Sequence, residues 1–134
     1  MKTYVFDASA LFALLQKTRG AAKVSELLKD CFRSQAQVLM SAVNYGEVYG
    51  RILHDYGPDR ALSTMQAVNP LPIEILDATP ERALQAADVK VKYKLYYVDS
   101  FAASLAIERK ATLVTSDSDF RKLGHGISVV WLKI

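Results

Sequence analysis

Five carboxylates stand where they could do chemistry together: Asp7, Glu47, Asp99, Asp117 and Asp119. Asp7 closes the apolar run "TYVFD", and Asp117 and Asp119 close "TLVTSDSD". Asp99 opens a helical stretch, and Glu47 lies a turn or so into another. Each has a plain structural reading. Asp99 could cap a helix, Asp7 could cap the first helix jointly with Ser9, Asp117 and Asp119 could form an Asx-turn, and Glu47 could face solvent. Together they raise an electrostatic problem. Carboxylates a few ångströms apart repel, and some must stay protonated unless a cation intervenes. A hard divalent cation removes the conflict, and oxygen ligands without cysteine or a central histidine select Mg²⁺ or Mn²⁺. Such a centre suits phosphodiester hydrolysis.

The elements that must deliver these acids follow from two alternating hydrophobic periods. Residues 3–7, 36–41, 72–76, 112–116 and 127–132 read as strands. Residues 9–17, with Ser9 as N-cap, 21–34, 42–57, 59–68, 79–95 and 99–110 read as helices. Val24, Leu27, Leu28, Cys31 and Phe32 form one apolar stripe, and Leu84, Ala87, Val91 and Leu95 another. Thr79-Pro80 starts a helix, and Gly57-Pro58 and Asn69-Pro70 end others. Strands separated by helices long enough for crossovers predict an α/β chain. The expected fold is a three-layer α/β/α sandwich around a central, mostly parallel sheet, in one domain spanning 1–134. Ligands of such sheets bind beyond the carboxyl ends of the strands. Asp7, Glu47, Asp99 and Asp117 map to that rim. Glu26, Asp30, Glu81, Asp88 and Glu108 lie along helices and fit solvated faces.

The totals exclude several other classes. Hydrophobic residues make up 51% and charged residues 23% of 134, an ordinary globular balance. One cysteine, Cys31, forbids an internal disulfide and a cysteine-based zinc site. Asp7 breaks the N-terminal apolar run, and no cleavage site or membrane-length segment follows. The expectation is a complete, soluble, cytoplasmic chain with no membrane partner. Seventeen Lys and Arg against 14 Asp and Glu give a net charge of +3, which permits nucleic-acid binding without demanding it.

At "VFDASAL", "SAVNYGEV", "YVDSFAASLA" and "TLVTSDSDF" the chain resembles the PIN-domain family, specifically the VapC-type toxins of prokaryotic toxin–antitoxin systems. The four stretches occur in the family's order over essentially the full chain. The resemblance implies an α/β/α sandwich and a Mg²⁺- or Mn²⁺-dependent endoribonuclease neutralised by a cognate antitoxin. Asp7, Glu47, Asp99 and Asp117 fall on the family's acidic quartet, Asp119 on a position that is often acidic, and Ser9 and Thr115 on supporting hydroxyl positions. It also implies 5′-phosphate and 3′-hydroxyl products.

On this reading Asp7, Asp99 and Asp117 hold metal, and Glu47 acts through a metal-bound water. Asp119 supports the site or caps the short helix after it. RNA is drawn by Lys90, Lys94 and Tyr96 in "KVKYKLYY", with Tyr97 as a further stacking candidate. Arg51, Arg121 and Lys122 are candidates for phosphate contact or for pairing with an antitoxin. Tyr45, Tyr49, Leu53 and Tyr56, with "LFALLQ", are candidates to cover an antitoxin helix or a twin subunit in a homodimer. His54 and His125 lie outside the matched stretches, and Cys31 and Trp131 are expected in the core. The competing readings are a non-catalytic RNA- or protein-binding module, a phosphatase and a receiver domain. The last two leave Glu47 and Asp99 together unexplained.

Overall fold

The computed structural model describes residues 1–134. Its elements run β1 (Lys2–Phe6), α1 (Ala8–Leu15), α2 (Ala21–Phe32), β2 (Ala36–Ser41), α3 (Ala42–Tyr56), α4 (Pro58–Val68), β3 (Ile73–Leu76), α5 (Pro80–Tyr93), α6 (Tyr97–Arg109), β4 (Thr112–Thr115), a 3₁₀ turn (Ser118–Leu123) and β5 (Val129–Trp131). The five strands form one sheet in the order β3-β2-β1-β4-β5, and every pairing is parallel. The expected α/β/α sandwich is therefore present, with a sheet parallel throughout.

Period-2 alternation divides the core. Val5, Leu39 and Leu113 point to one face, where Leu95, Ala102, Ala103, Leu105 and Ala106 cover them. Phe6, Val38 and Val114 point to the other, against Ala10, Val24 and Leu27, and Met40 joins Leu11, Val48 and Ile52 there. Helix α6 is buried continuously from Ser100 to Ala106. Its small residues let its backbone approach the sheet closely, which seats Asp99 at the rim. Arg82 ties α5 to α6. Its Nε and Nη2 donate to Glu108 Oε1 and Oε2 at 3.1 and 3.2 Å, and its Nη1 to the Asp77 carbonyl at 2.9 Å. Glu108 is exposed, as a face residue should be, and also staples α6 to α5.

β1 pairs with β2 on one side and β4 on the other, and chain order reverses there. The crevice at the carboxyl ends of β1 and β4 is the topological switch point. Several expectations shift by local geometry. Asp7, not Ser9, caps α1: its side chain accepts from the Ala10 amide. α6 begins at Tyr97, so Asp99 sits inside its first turn and is not the cap. On α5 the buried stripe is Ala86 with Val89 and Tyr93, while Leu84 and Val91 stay exposed. The sequence carries two apolar stripes here, and docking against α6 selects one. Leu95 is buried because Lys94, left-handed at φ 57°, turns the chain out of the helix. Phe32 ends α2 and is exposed, Cys31 is half-buried, and Trp131 is exposed under the Arg121 guanidinium.

Candidate active site

β1 and β4 place Asp7 and Thr115 side by side. The Asp7 amide donates to the Val114 carbonyl at 3.5 Å, carrying the pairing past the end of β1. The Asp7 carboxylate is buried and accepts three hydrogen bonds. Oδ1 takes the Ser9 hydroxyl at 2.6 Å and the Ala10 amide at 3.0 Å, and Oδ2 takes the Thr115 hydroxyl at 2.6 Å. Ser9 Oγ and Thr115 Oγ1 also lie 3.2 Å apart. Each hydroxyl has one hydrogen, and both are spent on Asp7, so that contact is a by-product of the shared acceptor. The same oxygens accept from the Ser116 and Asp117 amides, each at 2.9 Å. The two hydroxyls thus shape the turn that carries Asp117.

That turn is both an Asx-turn and part of the site. Asp117 Oδ1 accepts from the Asp119 amide at 2.9 Å and caps the 3₁₀ turn. The capping role expected of Asp119 falls on Asp117, because the turn starts at Ser118. Asp119 is thereby freed to face inward. Ligand oxygens of Asp99, Asp117 and Asp119 all lie within 4.8 Å of one another. Opposite ligands of an octahedral Mg²⁺ stand about 4.2 Å apart, so the spread nearly matches one cation. The donors are all carboxylate oxygens, and the residues present fit a hard divalent ion. Asp7, which is buried, and Glu47 are close enough to feel the charges of this group.

The electrostatics connect all five acids. Burial, partly opposed by its hydrogen bonds and reinforced by Asp117, pushes the Asp7 carboxyl up to about 6. Asp99 is also pushed up to about 6, first by burial and then by Asp117, Asp7 and Asp119. Partial burial and the Asp99 charge raise Glu47, while the Asn44 amide and Arg51 oppose the rise. These are the signs of a site short of positive charge.

The remaining candidates separate. Lys90, Lys94, Tyr96 and Lys122 line a groove of about 570 Å³ that reaches Asp119. Lys122 Nζ donates to the Lys94 backbone carbonyl at 3.0 Å, which ties Lys122 to the turn that ends α5. Arg121 lies instead over the Trp131 ring, 4.6 Å from its centroid. Tyr97 donates to the Ala83 carbonyl and packs edge-on against Phe101, and Tyr96 is the more exposed of the two. Arg51 stacks on Phe12 at 4.9 Å. His54 meets Asp55 on the surface of α3, and His125 is exposed in the turn before β5. A second groove, of about 540 Å³, runs between the end of α1 and the α3–α4 pair, past Leu15, Ile52, Tyr56 and Ala67. Sequence reading missed Asn44, which is buried between α3 and α6; the one available signal was an asparagine one turn before Glu47.

A family model for the PIN domain matches residues 4–126. The chain matches no curated protein sequence. Among solved structures it resembles VapBC2 from Rickettsia felis bound to a promoter DNA fragment, with a TM-score of 0.76 and 16% identity over 98% of this chain and 99% of that one. It resembles a toxin–antitoxin complex from Klebsiella pneumoniae, with a TM-score of 0.71 and 20% identity over 95% of each chain. It also resembles VapC20 from Mycobacterium tuberculosis, a Sarcin–Ricin loop cleaving toxin, with a TM-score of 0.70 and 17% identity over 90% of this chain and 95% of that one. At these identities the likeness is one of fold.

Proposed function

This chain belongs to the PIN-domain family, and from that membership we propose that it is a metal-dependent endoribonuclease, the toxin half of a VapBC-type toxin–antitoxin pair. Residues 1–134 form one nuclease domain on this reading. The observation that carries it is the convergence of Asp99, Asp117 and Asp119 on one point at the switch of the sheet, with Asp7 buried within reach of their charges. Mg²⁺ or Mn²⁺ would be held by Asp99 and Asp117, with Asp7, Asp119 and Glu47 directly or through water. When bound it polarises the scissile phosphate and lowers the pKa of water.

The chain's own residues set the rest. Ser9, Thr115 and the Ala10 amide hold Asp7 in one orientation. Glu47, at the open rim, orients the attacking water and takes its proton. Lys90, Lys94 and Lys122 neutralise RNA phosphates along their groove, and Tyr96 offers an exposed ring for an unpaired base. The groove between α1 and the α3–α4 pair, with Tyr49, Leu53, Tyr56 and Leu62 exposed nearby, supplies an apolar face for an antitoxin helix. A twin copy is the competing occupant of that face.

The test is cleavage of a pool of structured RNAs with Mg²⁺, with Mn²⁺ and with EDTA, beside the Asp99→Asn variant. Metal-dependent cleavage that the variant lacks is expected. Tight RNA binding with no turnover in either metal points instead to a binding module.

A further inference from the structure

Asn44 is the third residue of α3 and is 1% exposed. Its Nδ2 donates to the Val98 carbonyl at 3.0 Å, across to the first turn of α6. Val98 directly precedes Asp99, and Glu47 stands one turn after Asn44 on its own helix. One side-chain amide therefore touches the local backbone of one site acid and neighbours the other at i,i+3. The amide orientation is set by chemistry, since a backbone carbonyl can only accept. With Nδ2 committed there, Oδ1 is buried and has no partner in the protein. An orphaned buried acceptor costs the folded state the hydration it has lost. A leucine would fill similar space without an orphaned acceptor of its own, so packing alone does not account for an amide. What the amide adds is a fixed distance between two helices that reach the site independently.

We infer that Asn44 is a positioning residue: it locks the turn carrying Asp99 to the helix carrying Glu47, so that cation binding and the hydrolytic step depend on it while RNA affinity does not. The inference rests on the metal-nuclease reading. The influence of the Asn44 amide on the Glu47 carboxyl agrees with it. Nδ2 has two hydrogens, and the Val98 carbonyl takes one of them. The orphaned Oδ1 remains available to accept from a bound water, a common arrangement behind metal ligands.

Two experiments on the full chain decide it. In the wild-type protein, Mg²⁺ titration followed by ¹⁵N NMR should shift the Asn44 side-chain amide pair together with the Asp99 backbone amide. If Asp99 responds and Asn44 does not, the inference falls and the metal site stands. If neither responds, both fall. In Asn44→Leu, Mn²⁺ binding measured by electron paramagnetic resonance should weaken about ten- to a hundredfold, and kcat should drop over a similar range with KM nearly unchanged. A lowered melting temperature with unchanged Mn²⁺ affinity and kcat reduces Asn44 to a packing tether and overturns the inference. A raised KM at constant kcat places it on the RNA path and overturns it as well.

Discussion

Thr115 Oγ1 donates to Asp7 Oδ2 at 2.6 Å, joining the ends of two adjacent parallel strands that lie 108 residues apart in sequence. The same oxygen accepts from the Asp117 amide at 2.9 Å. One hydroxyl thus serves the buried acid and the acid that faces the rim. Thr115→Val keeps the shape and the β-branch and removes both bonds. We expect a loss of about ten- to a hundredfold in kcat or in Mn²⁺ affinity. Thr115→Ser, which keeps the hydroxyl, should recover most of it. Single-turnover cleavage across a Mn²⁺ series separates the two quantities, and a fully active valine variant would remove Thr115 from the site.

The raised carboxyls predict how metal-free protein responds to pH. Asp7 goes from 3.8 to about 6 on folding, chiefly by burial, so the folded state holds this proton more tightly than the unfolded chain. Its contribution to stability is fully present below about pH 4 and is lost as pH rises through about 6. Asp99 shifts in the same direction and adds to the trend. Asp7→Asn stays neutral at every pH and can still accept from Ala10. In EDTA at pH 7 it should be more stable than wild type, by at most about 3 kcal/mol. At pH 3.5 the two should converge. Urea unfolding at both pH values measures this, and Mg²⁺ should restore stability to wild type far more than to the variant. An equal pH response in both proteins would place the shift elsewhere.

The strands and the acids that follow them were legible because they rest on patterns the sequence carries openly. Val5–Phe6 and Leu113–Val114 alternate between sheet faces, and an acid follows each strand soon after. What was not legible depended on choices between equal local signals. α5 has two apolar stripes, and only its packing on α6 shows that Ala86, Val89 and Tyr93 face inward and leave Leu84 out. Ser9 and Asp7 can each cap a helix; the strand ending at Phe6 gives the cap to Asp7. Asn44 carries no pattern in sequence, because its partner is a carbonyl 54 residues away.

Asp117 and Asp119 are separable by what else each one does. Both bring a ligand oxygen to the group shared with Asp99. Asp117 alone also caps the 3₁₀ turn, which seats the buried Phe120 and Leu123. Asp117→Ala should therefore abolish metal-dependent cleavage and cost about 0.5–2 kcal/mol of stability. Asp119→Ala should weaken Mn²⁺ binding with little change in the melting temperature. Calorimetric Mn²⁺ titration beside thermal unfolding tests both. Cleavage surviving in Asp117→Ala but lost in Asp119→Ala would reverse their ranks.

The cations of the Asp119 groove should act on binding, and Arg121 should not. Lys90 and Lys94 line an open groove, and neither forms an ion pair with an acid. Every cation that neutralises a phosphate of single-stranded RNA adds about 0.7 to the slope of log affinity against log salt. Lys90→Ala and Lys94→Ala should each raise KM, flatten that slope by this amount and leave kcat at saturating RNA unchanged. Lys122→Ala should do more, since its ammonium also holds the Lys94 carbonyl. Arg121→Ala removes a cation stacked on Trp131 and should leave the salt slope as it was. Fluorescence anisotropy with a labelled single-stranded RNA in EDTA, between about 50 and 200 mM salt, reads these slopes without turnover. A flattened slope in the Arg121 variant alone would move the RNA path to the β5 side of the 3₁₀ turn.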